Sequence, residues 1–66
     1  MKSIMYVLKN AEDKYYQYNN GKGHVCTSNL NLARAVTKKS VANIMRNQLG
    51  KDKYKVTAVT VEILEV

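Results

Sequence analysis

The side chains best suited to catalysis or metal binding are those of His24 and Cys26, the only histidine and the only cysteine of the sequence. They are two positions apart, so both side chains would lie on one face of an extended segment. A thiol–imidazole pair also needs an orienting group and an oxyanion site for nucleophilic catalysis, and no carboxylate lies nearby in the sequence. Structural zinc takes four such ligands. We therefore predict no catalytic residues, no metal site, no cofactor and no enzyme activity.

A first candidate binding site is the predicted start of a helix at Thr37, Lys38, Lys39 and Ser40. A helix N-terminus attracts anions through its free N–H groups and its dipole. Lysines in the first turn oppose that dipole at a cost of ~0.3–1 kcal/mol each, so stability alone does not account for them. An anionic partner would, and Arg46 would extend the same basic surface. The alternative is that these are solvated lysines that favour solubility.

A second candidate is aromatic. Four of the five tyrosines fall within the first 18 residues, and the chain contains no Phe or Trp. Tyr15 and Tyr16 are adjacent, so in a strand they point to opposite faces. An exposed Tyr15 or Tyr18 beside Lys14 could stack on a base or fill a pocket of a partner. The alternative is that these tyrosines simply replace Phe and Trp in the core.

A third and weaker candidate is the loop Gly21-Lys22-Gly23, because glycine loops with a cation can enclose a phosphate. It lacks the further glycine and the strand-to-helix context of a dinucleotide site, and it lacks the ending of a P-loop. A plain connecting loop is the favoured interpretation.

The predicted elements that position these residues are strands at 3–9, 14–18 and 54–66 and one helix. Thr37 is the expected N-cap of the helix and Gly50 its stop. Its apolar stripe, at spacings of three and four, consists of Val41, Ile44, Met45, Gln48 and Leu49. The predicted fold is a single α+β domain, residues 1–66, with β-β-α-β order. A crossover places the last strand beside the first, so a three-stranded antiparallel sheet has order 2-1-3 and the helix covers one face. The open face or the free edge of the last strand would suit self-association or a partner.

Size and charge limit the function. A chain of 66 residues forms one small core, and such domains are often supported by self-association, so a homodimer is considered. The 11 Lys and Arg against 5 Asp and Glu give a net charge of +6. Only two are arginines, which disfavours readout of DNA sequence, although general attraction to nucleic acid or to an acidic protein stays open. A lone thiol and the lack of signal-peptide and membrane-span patterns predict a cytoplasmic protein without membrane contact.

Several segments resemble small uncharacterised proteins encoded by bacteriophages. They are Met5-Tyr6-Val7-Leu8-Lys9, Lys14-Tyr15-Tyr16, Thr27-Ser28-Asn29-Leu30 with Ala33 to Val36, and Thr37-Lys38-Lys39 at the helix start. The resemblance covers most of the chain and supplies no site residues. It implies a non-enzymatic accessory protein directed at a host protein or defence system, in the cytoplasm of the host cell. Many phage inhibitors of nucleic-acid enzymes are acidic mimics of DNA, and this basic chain departs from that pattern.

The leading functional prediction is therefore a binding protein whose partner is a host protein. The first alternative is a non-specific nucleic-acid-binding protein that uses Lys38, Lys39, Arg46 and neighbouring lysines. A further alternative is a sponge for an anionic nucleotide signal at a dimer interface.

Overall fold

The computed structural model describes residues 1–65; the predicted end of the last strand, Val66, lies outside the described residues. The described chain forms, in order, β1 (Lys2–Asn10), β2 (Tyr15–Asn19), β3 (His24–Thr27), a 3-10 helix (Leu30–Leu32), α1 (Lys39–Leu49) and β4 (Tyr54–Glu62). The predicted α+β class with one α-helix and an antiparallel sheet is confirmed.

The sheet has four strands in the order β3-β2-β1-β4, so the three-stranded prediction was wrong. β1 pairs antiparallel with β4 over all of its nine residues, and with β2 at Lys9 and Tyr15. The crossover therefore places the last strand beside the first, as predicted. Where β2 diverges from β1, Val36 takes its place: the Tyr6 N–H donates to the Val36 carbonyl at 2.8 Å, and the Val36 N–H returns a bond at 3.0 Å.

The additional strand, β3, returns antiparallel along β2 after the loop at residues 20–23. A bulge between Tyr16 and Tyr18 shifts the register of this pair, and such bulges increase the local twist of a strand. Side chains of β3 also contact Tyr54, about 30 residues further along the chain. The local signal for β3 is only a short extended segment, and its pairing depends on those distant contacts.

The core lies between α1 and one face of the sheet. Leu8, Tyr16 and Tyr54 are buried there and pack against Met45 and Leu49 of the helix. The predicted apolar stripe of the helix was correct for Met45 and Leu49 but wrong for two of its apolar members. Ala42, which it left out, is 1% exposed, whereas Val41 and Ile44 are 40% and 56% exposed. The small side chain of Ala42 permits close approach of the helix to the sheet, and the larger neighbours are turned outward.

The two helix ends differ in how well they were predicted. The helix begins at Lys39 with Lys38 as its N-cap, so Thr37 is not the cap; the Lys38 side chain makes no capping hydrogen bond. Gly50 ends the helix, as predicted. Its φ of 134° is a conformation that favours glycine, and its N–H donates to the Arg46 carbonyl at 2.9 Å.

Candidate functional site

The basic helix start is exposed throughout Thr37 to Ser40, but Arg46 does not join it. Arg46 lies seven residues after Lys39, which is about 10 Å along a helix. It is half-buried, and its Nη2 donates to the Asn47 side chain at 3.3 Å. The structure therefore separates two parts of the surface that the sequence placed together. An N-terminus with uncapped N–H groups is open to an anion, and the prediction for Thr37–Ser40 stays a prediction.

The tyrosines divide between core and surface. Tyr16 is 8% exposed and belongs to the core, while Tyr18 is 49% exposed. Tyr15 is half-buried, and the Lys9 ammonium lies 5.9 Å from the centre of its ring. Lys14 is exposed in the turn before β2. The cation that accompanies Tyr15 is thus Lys9 of the neighbouring strand, whereas sequence proximity had indicated Lys14.

The glycine loop is largely satisfied by its own side chains. The Asn19 side-chain oxygen accepts from the Gly21 N–H at 3.0 Å, and that of Asn20 accepts from the Lys22 N–H at 2.9 Å. Gly23, with a φ of 150°, completes the turn into β3. A phosphate at this loop would have to displace two asparagine oxygens, which strengthens its interpretation as a connection.

His24 and Cys26 share a face, as their spacing predicted, and both contact the hydroxyl of Tyr54. The distances to that oxygen are 3.0 Å from His24 Nδ1 and 3.4 Å from Cys26 Sγ. Tyr16 packs edge-on against the rings of His24 and Tyr54. Burial, then the hydrogen bond with Cys26, raises the pKa of Tyr54 well above its ordinary value. The hydroxyl therefore stays protonated, and the cluster links β3 to β4.

No group of three or more His, Cys, Asp or Glu side chains within residues 1–65 could hold a metal ion. The cluster around Tyr54 offers one imidazole and one thiol, both engaged with the same hydroxyl. The Tyr54 hydroxyl is buried and has hydrogen-bond partners in both groups, so we assign the cluster a role in stabilising the fold.

A row of side chains crosses all four strands on the sheet face opposite α1. We call it the basic row; from β3 to β4 its members are Thr27, Tyr15, Lys9 and Lys55, which are successive cross-strand partners. Lys9 and Lys55 lie directly opposite each other, and like charges in that position destabilise a sheet. Asp13 approaches Lys9 at 3.5 Å, while Lys55 is exposed at the end of the row. An anionic partner would relieve this repulsion.

The direction of the β4 backbone groups follows from the bonds between Tyr6 and Val36. Tyr6 directs its N–H and C=O away from β4, and these directions alternate along a strand. Val7 and Met5 therefore face β4, where their partners are Thr57 and Val59. Ile63, which is also odd-numbered, agrees with this pattern: its N–H donates to the Met1 carbonyl at 2.7 Å.

It follows that the even-numbered residues of β4 direct their backbone groups away from β1. We call the N–H and C=O groups of Val56, Ala58, Thr60 and Glu62 the outer edge of β4. Within residues 1–65 no backbone hydrogen bond reaches this edge. The side chains of Ala58 and Thr60 are exposed beside it. Unpaired groups of this kind are a template for another strand.

The outer edge and the basic row meet at a groove of about 480 Å³. Its lining includes Lys9, Asp13 and Lys55 together with Val56 to Ala58. Free backbone donors and acceptors are thus placed beside two ammonium groups. This combination of the outer edge with Lys9 and Lys55 is the candidate functional site. The sequence indicated the free edge, but it did not indicate the lysines, because their proximity depends on the β1–β4 register.

Comparisons with known proteins identify no relative: no protein-family model, no curated protein and no solved structure matches the chain. The phage resemblance is therefore still a prediction. Among the described residues, no helix has the length and apolar character needed to cross a membrane.

Proposed function

We propose that this is a non-enzymatic binding protein that adds an extended acidic segment of a partner protein to the outer edge of β4. The observation that carries the proposal is the unpaired edge itself, with the lysines of the basic row beside it. On the resemblance to phage accessory proteins, the partner would be a host protein.

The backbone of β4 supports a peptide ligand. A strand added to an open edge gains main-chain hydrogen bonds for affinity and side-chain contacts for specificity. Here Val56, Ala58 and Thr60 offer such bonds at alternate positions. The chain contains no proline, so no residue of β4 lacks the donor that a partner strand uses.

The charges support an acidic ligand. Residues of an added strand that lie on the face of the basic row would approach Lys55 first, with Lys9 in the next strand. Residues on the other face would approach Ala58 and Thr60, which carry no charge. The favoured ligand therefore places a carboxylate beside Lys55 and small apolar or hydroxyl side chains on the other face.

The test uses a synthetic ten-residue peptide of alternating Glu and Val, labelled with a fluorophore, and measures its anisotropy at low protein concentration. Lys55→Glu should weaken binding about tenfold, because a cross-strand attraction becomes a repulsion. Lys22→Glu is the matched control: it makes the same charge change in the β2–β3 loop and should alter affinity less than about twofold.

Ala58→Pro tests the backbone contribution separately. Its N–H lies on the outer edge, where proline is tolerated, so circular dichroism should show a folded protein. Peptide affinity should fall about tenfold or more, since a donor is lost and the ring obstructs the edge. Equal losses for Lys55→Glu and Lys22→Glu, together with full affinity in Ala58→Pro, would contradict strand addition.

Binding of nucleic acid and capture of a nucleotide signal stay predictions from the basic composition. A same-length single-stranded oligonucleotide, tested against the same variants, separates them from the proposal. Under strand addition, Ala58→Pro has no effect on any oligonucleotide binding, because that contact depends on charge.

A further inference from the structure

The two ends of β4 and its flanks carry charges of opposite sign. Lysines precede and begin the strand, at Lys51, Lys53 and Lys55, and acidic residues end and follow it, at Glu62 and Glu65. All of these side chains are exposed. An antiparallel partner with the same sequence would place the acidic end of one copy beside the basic start of the other. A parallel copy would place like charges together.

We infer that a second copy of this chain occupies the outer edge of β4, by antiparallel pairing of β4 with β4 about a two-fold axis at Val59. The inference rests on the proposed function, in that it uses the same free edge. The chain itself carries carboxylates at the end of this strand and just after it, at Glu62 and Glu65.

The parity of the edge restricts the register. Only even-numbered residues direct backbone groups outward, so they must pair with even-numbered residues of the second copy. Axes at several residues of β4 satisfy this condition. We choose the axis at Val59, which pairs Ala58 with Thr60 and Val56 with Glu62, because it also places Lys53 and Lys55 near Glu65 of the second copy. Val59 then faces its own copy in a pair without direct hydrogen bonds, where the Cα atoms are about 4.5 Å apart.

This register also brings opposite charges together. Lys53 and Glu65 flank β4 (Tyr54–Glu62). Continued past the ends of the strand, the register places Lys53 opposite Glu65 of the second copy and makes Lys55 the diagonal neighbour of the same carboxylate. The axis repeats both contacts, and cross-strand pairs of opposite charge stabilise a sheet by roughly 0.2–1 kcal/mol each. Repulsion between the net charges acts over longer distances and is largely screened at physiological salt, where the Debye length is about 8 Å.

Cysteine cross-linking tests the register in a Cys26→Ser background. Val59→Cys should form a disulfide-linked dimer rapidly under mild oxidation, because the expected Cα separation falls within disulfide range. Thr57→Cys is the matched control on the same face. Its copy would lie four positions away, about 13 Å, so it should cross-link at least tenfold more slowly. Absent cross-linking at Val59→Cys, or equal rates for the two variants, would overturn the inference.

A charge exchange tests the paired ends by sedimentation. Lys53→Glu or Glu65→Lys alone should weaken dimerisation several-fold, and the double variant should recover most of the loss because the pair re-forms with reversed signs. Additive losses would contradict the register. A wild-type protein that is monomeric but still binds the Glu-Val peptide would refute the dimer and support the proposed function. A protein that cross-links through β4 but does not bind the peptide as a monomer would support the dimer and refute the proposed function.

Discussion

The hydroxyl of Tyr54 allows a prediction with a defined dependence on pH. Tyr54→Phe removes only that hydroxyl, and leaves His24 Nδ1 and Cys26 Sγ without the partner that they share at 3.0 Å and 3.4 Å. A part-buried polar group that loses its partner costs about 1–3 kcal/mol. Because both partners keep some access to water, we expect a loss of about 1–2 kcal/mol at pH 7. For a domain of this size, each kcal/mol lowers the melting temperature by about 4–8 °C.

At alkaline pH this difference should shrink. Burial raises the pKa of Tyr54 in the folded protein, whereas the unfolded chain titrates near pH 10. Below pH 10 both states hold the proton and the stabilisation is complete. Above pH 10 the unfolded state releases the proton first, so stability falls as pH rises, by up to about 1.4 kcal/mol per pH unit. The phenylalanine variant has no proton to lose at this position, and the two proteins should have similar stability near pH 11.

The assay is urea unfolding followed by circular dichroism at pH 8, 9, 10 and 11 for wild type and Tyr54→Phe. Titrating groups that make no contact with Tyr54 are common to both proteins and cancel in the difference. Tyr18→Phe, which removes a hydroxyl from an exposed ring, is the control and should change stability by less than about 0.5 kcal/mol. A Tyr54→Phe difference that stays constant from pH 8 to pH 11 would refute the buried, protonated phenol.

Two further predictions concern the scaffold. Leu8→Ala should destabilise the protein by about 2–5 kcal/mol, since Leu8 is 1% exposed at the centre of the core; thermal melting checks this, and a loss below about 1 kcal/mol would contradict the packing. Lys38→Asp should raise stability by about 0.5–2 kcal/mol, because Lys38 caps α1 without a side-chain bond; chemical denaturation checks it, with Lys22→Asp as the control for net charge, and an unchanged midpoint would place the helix start elsewhere.

Local patterns predicted much of the scaffold. The apolar residues of β1, the long β-branched run of β4 and the stop at Gly50 each carry a signal within a few residues. β3 has only a short extended segment as its local signal, since its pairing depends on contacts of His24 and Cys26 with the distant Tyr54. The buried side of α1 was predicted only in part: Met45 and Leu49 pack against the core, but periodicity alone did not show that Ala42 faces the sheet in place of Val41.

The candidate site was predictable in part. That the last strand could have a free edge followed from the order of the elements. Which backbone groups form that edge depends on the bonds between Tyr6 and Val36, which are far apart in the sequence and have no local signature. The meeting of Lys9 with Lys55 likewise depends on the register of β1 with β4. Spacing along the chain instead drew attention to Lys38 and Lys39 at the helix start and to Arg46, which lies about two turns further along α1.

Amide hydrogen exchange along β4, measured residue by residue by NMR, reports directly whether its outer edge is free and binds a further strand. We expect slow exchange at Thr57 and Val59 under all conditions, because their N–H groups bond to β1. Val56, Ala58 and Thr60 should exchange rapidly in dilute protein and become protected when the Glu-Val peptide or a high concentration of the chain itself is present. Rapid exchange at Thr57 and Val59, or even-numbered amides that stay unprotected at saturating peptide and high protein concentration, would contradict a free edge that binds a further strand.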